Sequence, residues 1–140
     1  AEKPIVKHPS VYWEGVSVLV AYGVALMNLG AKRAGPSEAQ ANEAIDYYCR
    51  AAGVFRLAAA TWAPRIPALK GLPVCPEMNS EMLQALAEQA LGQAQLQAVC
   101  KGERKGISPT TLLRLRLGAG ERVAAAAAHL ARLPKAVAEE

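Results

Sequence analysis

The sequence predicts an all-α fold, and three observations carry the prediction. Ala, Leu, Gln, Glu and Arg, all good helix formers, dominate the chain. Apolar residues recur at i, i+3, i+4 and i+7 over long stretches. The alternating β-branched and aromatic runs of a sandwich are missing, and aromatics make up only 5% of the chain. With 140 residues, 52% apolar and 20% charged, the chain suits one domain and is no disordered tail. Alanine is the commonest apolar residue, so the core must come from close approach of helices rather than from bulky layers.

Start and stop signals divide the chain into four helices, over about 11–34, 38–62, 80–102 and 109–132. Pro9 and Ser10 precede the first, which stops at Gly35-Pro36. Its stretch from Gly15 to Ala31 carries no charge, and Lys32-Arg33 follow directly, at the short limit for a membrane span. Ser17, Tyr22, Asn28 and three glycines lower its apolarity, so the expectation is a buried helix packed on two sides; a membrane anchor is the more distant reading.

Ser37 to Gln40 is a capping box that opens the second helix. Ala41, Ala44, Ile45, Tyr48, Ala51, Ala52, Phe55 and Ala59 form its stripe, opposite Glu43, Asp46 and Arg50. Pro64, Pro67, Pro73 and Pro76 predict an extended loop from about Ala63 to Met78. Asn79 or Ser80 caps the third helix, with Leu83, Leu86, Ala87, Ala90, Leu91, Ala94 and Ala98 as its stripe and glutamines around it. A charged turn, Lys101 to Gly106, leads to Ser108-Pro109, an N-cap with proline at the first helical position. Leu112, Leu115, Ala119, Val123, Ala126 and Leu130 are the expected core face of the fourth helix. Gly118 and Gly120 are expected to loosen its middle, and Pro134 ends it before a frayed tail, Lys135 to Glu140. The four helices form two hairpins that stack as tetratricopeptide-type units, a single domain over 1–140. So few repeats should leave apolar ends exposed, seeking more sequence or a partner subunit.

The residue inventory points away from catalysis. His8 and His129 have no Cys, Asp or Glu at metal-ligand spacing, so no metal is expected; His8 reads as solvated and His129 as a helix-surface residue. Cys49, Cys75 and Cys100 are widely spaced and odd in number, which predicts reduced thiols packed as small apolar side chains. Cys49 and Cys100 lie in or beside helix stripes, and neither has a His or acid fixed beside it as a nucleophile would. Gly118-Ala119-Gly120 lacks the strand and further glycine of a dinucleotide site, so no cofactor is expected. The net charge of +4 is mildly basic. Lys101, Arg104, Lys105, Arg114 and Arg116 gather without aromatic platforms, which argues against specific nucleic-acid binding. What this leaves is a helical surface suited to receiving another helix in a groove. The chain opens at Ala1 rather than Met, which fits a processed end, a trimmed chain or a piece of something longer.

Two stretches carry a resemblance. Tyr48-Cys49-Arg50-Ala51-Ala52-Gly53-Val54-Phe55, followed by the proline-broken loop, resembles the A-A-G-x-F helix of BRO1 domains. Leu91-Gly92-Gln93-Ala94-Gln95, then Lys101, resembles that family's L-A-Q-A-Q-E helix. Val18 to Leu26 sits where the family has its V-L-F-N-x-x-A-L helix, and the order agrees.

The resemblance implies a tetratricopeptide-like scaffold that binds the amphipathic C-terminal helix of an ESCRT-III subunit of the Snf7 type in endosomal sorting. It implies a cytoplasmic, endosome-associated protein with an indirect link to membrane. Glu38 fits the family's acidic ligand-binding place and Leu115 one of its aliphatic places. Asn42 falls at the basic place, Ala98 at the aromatic one and Thr111 at the second aliphatic one. The expected partner-binding surface is Glu38, Gln97, Lys101 and Leu115, with Leu115 giving apolar contact and the others polar register. The alternative function is an accessory structural subunit of a larger, organellar (mitochondrial) complex, held by the flanks of the first and fourth helices.

Overall fold

The computed structural model describes residues 10–67 and 75–134. His8, Pro73 and the tail from Lys135 lie outside the described residues. Of the described residues 87% are helical and none is in a strand, so the fold is all-α with four main helices.

Helix α1 is Val11–Arg33, started by Ser10, whose hydroxyl accepts from the Tyr12 N–H at 3.2 Å. Helix α2 is Glu38–Leu57, and its capping box is complete. The Gln40 N–H donates to Ser37 Oγ at 3.1 Å, and the Ser37 N–H donates to Gln40 Oε1 at 3.1 Å. Beyond Leu57 the chain runs on through a π turn, Ala58–Trp62, and a 3₁₀ turn, Ala63–Arg65, where Pro64 stops it. Helix α3 is Ser80–Lys105, capped by Asn79, and α4 is Pro109–Ala131, capped by Ser108.

The third helix is longer than the sequence suggested. Gly102 lies inside α3, and Gly106, at φ 68°, ends it. There the Ile107 N–H donates to Gly102 O at 3.1 Å and the Gly106 N–H donates to Glu103 O at 3.1 Å. Ile107 folds back over Gly102, where a Cβ would come within 2.5 Å of Ile107 Cδ1. Glycine at 102 therefore makes room for Ile107 rather than a turn. Nor do Gly118 and Gly120 break α4, which is continuous.

Each helix packs antiparallel on the next in the chain, so α2 lies between α1 and α3, and α4 lies outside α3. This order is compatible with tetratricopeptide-like hairpins. Aromatic rings from α2 and its extension seat on the glycines of α1. Trp62 covers Gly15, Phe55 covers Gly23 and Tyr48 covers Gly30. A Cβ at Gly23 would stand 2.6 Å from Phe55 Cε1, and one at Gly30 would stand 3.0 Å from Tyr48 Cε1. Phe55 is fully buried, which is worth about 2–3 kcal/mol. Between α2 and α3 the contact is made by alanines, with Ala51, Ala52, Ala87 and Ala90 all buried, and by Leu83.

Three expectations are corrected here. Among the described residues helix α1 packs on one side only, against α2 and the turns at either end of the proline loop, because no further described helix covers it. It is the helix among the described residues that is long and apolar enough to span a membrane, yet only 22% of that stretch is buried. Helix α4 buries Ala119 but leaves Val123 and Leu130 exposed, because α3 covers a narrower face of it than the stripe suggested. Cys49 is exposed on α2, since the stripe that enters the core runs through Tyr48, Ala51 and Ala52 instead.

The glycine contacts give a prediction of opposite signs. Gly23→Ala should lower stability by about 1–2 kcal/mol, because overpacking against Phe55 outweighs the better helix propensity. Gly53→Ala, in the same bundle but with open space around its Cβ position, should raise stability by up to about 1 kcal/mol. Urea denaturation midpoints read both, and equal shifts of the same sign would contradict the seating of Phe55.

Candidate functional site

Helix α4 is held on α3 by a row of polar contacts one heptad apart. Glu81, Glu88 and Gln95 follow each other at i, i+7 on α3, so they share one face. Glu81 Oε2 lies 2.6 Å from His129 Nδ1 and 3.6 Å from Arg132. Glu88 accepts from Arg122 at 2.9 Å and from Arg56 of α2 at 3.2 Å, and so ties three helices together. Gln95 Nε2 donates to the Leu115 carbonyl at 3.1 Å and lies against Gly118, where a side chain would displace it. His129, expected on the helix surface, is therefore half-buried in an interhelical contact.

Glu88 is the buried charge of the molecule's described part, only 8% exposed. Burial pushes its carboxyl pKa up, but the hydrogen bonds and charges of Arg122 and Arg56 outweigh burial and hold it below the usual carboxylate range. The hydrogen bond from His129 likewise holds Glu81 low.

Because this row occupies one side of the contact, the other side stays open. A groove of about 590 Å³ runs between α3 and α4. Its α3 wall is Met82, Leu86, Gln89, Gln93 and Leu96, spaced by alternating fours and threes, and its α4 wall is Val123, Ala127 and Leu130. No charged side chain lines it. Leu96 is 43% exposed and Val123 63%, so large aliphatic side chains face solvent along its rim. A surface of this kind binds the apolar face of a helix, with Gln89 and Gln93 available as hydrogen-bonding groups. Among the described residues no group of three His, Cys, Asp or Glu side chains converges on one point.

The four residues expected to form the partner surface divide between two places. Glu38 and Lys101 come together where the start of α2 meets the end of α3. Glu38 Oε1 accepts from Lys105 at 2.6 Å and lies 3.5 Å from Lys101, which also donates to Asn42 Oδ1 at 2.6 Å. Lys105, and secondarily Lys101, hold the Glu38 carboxyl below its ordinary pKa. Arg104 donates to the Gly35 carbonyl at 2.9 Å, so this part of the basic cluster straps the end of α3 to the α1–α2 turn. Gln97 lies one turn before Lys101 and is half-buried. Leu115 does not join them: its carbonyl is held by Gln95, which projects from the side of α3 nearly opposite Gln97. The groove was missed because Leu86, Val123 and Leu130 read as core positions. The signal for it was the second stripe, Met82-Leu86-Gln89-Gln93-Leu96, beside the core stripe of the same helix.

A pH dependence follows from Glu88. Its folded-state pKa is depressed, so its contribution to stability is present above the unfolded carboxylate value and is lost as pH falls through the folded one. The Glu88 contribution should be constant from neutral pH to about 5 and be lost below about 4.5. Glu88→Gln should cost about 2 kcal/mol at neutral pH and flatten that acid limb. Chemical denaturation across pH checks this, and an unchanged acid limb in the variant would contradict it.

No family model matches the chain, and no curated protein and no solved structure matches it either, so the BRO1 resemblance stands on the motifs quoted above.

Proposed function

We propose that this chain is a non-catalytic helical interaction module that receives the apolar face of a partner's amphipathic helix between α3 and α4. The observation that carries the reading is the uncharged groove with Leu96, Val123 and Leu130 exposed along it. Met82 to Leu96 spans about 21 Å, which accommodates roughly four turns of a docked helix. Such a helix would place its i, i+3/i+4 and i+7 apolar residues against the aliphatic walls.

The BRO1 resemblance supplies the partner class, the C-terminal helix of an ESCRT-III subunit of the Snf7 type. On this reading the chain works in endosomal sorting at the cytoplasmic surface of endosomes. Glu38, Gln97 and Lys101 at the α2–α3 junction are a competing site for the same ligand, with Leu115 apart from them, and Glu38 and Lys101 would have to exchange their mutual contact for it. Exposed Val18 and Tyr22 on α1, and Leu113 and Leu117 on α4, favour the second reading, an accessory structural subunit of a larger complex. That reading is tested by whether the isolated chain unfolds cooperatively; loss of a cooperative transition in isolation would favour it.

The binding reading is tested by fluorescence anisotropy of a labelled Snf7-type C-terminal helix titrated with the full chain at moderate salt. Leu96→Asp should weaken binding about 30-fold, the loss of one apolar anchor, while Leu115→Asp and Lys101→Glu leave it within a few-fold of the parent. Loss with Lys101→Glu and none with Leu96→Asp would move the site to the α2–α3 junction. No saturable binding by the folded chain would reject the partner.

A further inference from the structure

We infer that the helix received between α3 and α4 carries a primary amide, Asn or Gln, at the middle of its apolar face, and that Gln89 and Gln93 select it. The selection rests on the groove being the docking place, and goes beyond it by naming what the partner must present there. On the α3 wall, Met82, Leu86, Gln89, Gln93 and Leu96 share one stripe. At about 100° per residue, Gln89 and Gln93 lie about 20° to either side of the Met82 line, and Leu86 and Leu96 about 40°. The two amides therefore hold the centre of the stripe and the leucines its margins. A helix laid along this wall covers both glutamines and does not leave them at a rim.

Other glutamines of the fold have internal work. Gln40 closes the capping box of α2, and Gln95 holds the Leu115 carbonyl. Gln89 is exposed and Gln93 half-buried, and among the described residues neither amide has a hydrogen-bond partner, so solvent serves both. Each amide offers one acceptor oxygen and two donor hydrogens. The floor beside them is small: Ala85 and Gly92 are buried and line the same groove. A partner side chain can therefore come down level with the two amides.

Docking displaces the solvent that serves them. Each amide stripped without a replacement weakens binding by about 5- to 150-fold, and two such losses outweigh the burial of one further aliphatic side chain. A wholly aliphatic face is therefore the wrong complement to this wall. An amide on the partner donates to one glutamine while it accepts from the other. A carboxylate only accepts and an ammonium only donates. No charged side chain lines the groove to compensate either ion, so the selected group is polar and neutral. Discrimination of this kind comes as much from what the two amides reject as from what they bind.

The test is fluorescence anisotropy of the full chain with labelled model helices of four turns, built from Leu, Ala, Glu and Lys with the leucines on one face. They differ only at the middle of that face, which carries Leu, Gln or Glu. The parent should bind the Gln-centred helix about tenfold tighter than the Leu-centred one, and the Glu-centred one least. Gln89→Leu/Gln93→Leu, which leaves helix propensity unchanged, should reverse the order of the first two. The single Gln93→Leu variant repeats the comparison should the double variant aggregate. A parent that binds the Leu-centred or Glu-centred helix as tightly as the Gln-centred one, or an order that the glutamine variants leave unchanged, overturns the selection; the groove itself stands if Leu96→Asp weakens binding of all three helices. Binding of none of them, or binding that Leu96→Asp leaves intact, rejects the groove and the selection with it.

Discussion

Three aromatic rings lying on three glycines set how the first two helices pack, and the later helices build on that pair. Gly15, Gly23 and Gly30 run down α1, and Trp62, Phe55 and Tyr48 come up α2 and its extension to meet them. A ring can approach a helix axis that closely only where the Cβ is missing, so the three contacts together fix distance and register at once. The same contacts commit one face of α1 to α2. Tyr22, on another face, is left outside, and so are Val18 and Leu29.

The three helix interfaces use different chemistry, and the difference decides where the molecule is open. The first is aromatic against glycine. The second is alanine against alanine, strapped at one end by Lys101 and Lys105 on Glu38 and at the other by the Ser80 hydroxyl on the Ala59 carbonyl. The third is polar, held by Glu81, Glu88 and Gln95 along one side. Polar contacts at fixed geometry hold α4 without filling the space beside it. That space is the α3–α4 groove. An interface packed with large apolar residues would have closed it.

Local chemistry made much of the fold legible from residues alone. Ser37 with Gln40 and Ser108 with Pro109 marked helix starts, and the stripe from Ala41 to Ala59 on α2 enters the core except for the half-buried Ile45. The end of α3 was not legible at Gly102, because a helical glycine under Ile107 and a terminating glycine look alike until the contact is seen. Apolar periodicity also overstated burial: Val123 and Leu130 have core spacing but line an open groove, and α1 is apolar on faces that nothing covers. Periodicity reports which residues share a face, not whether a neighbour fills it. The expected partner residues show the same limit: Glu38 and Lys101 meet at the α2–α3 junction, while the Leu115 carbonyl is held by Gln95 on another side of α3.

The account turns on the groove being the place where a partner helix sits. Hydrogen–deuterium exchange of the full chain, with and without a Snf7-type C-terminal helix, tests this most directly. Slower exchange over residues 82–96 of α3 and 123–130 of α4, with residues 35–42 and 101–105 unchanged, is the expected result. Protection confined to the junction of Glu38 and Lys101, or none at all under saturating helix, would contradict it.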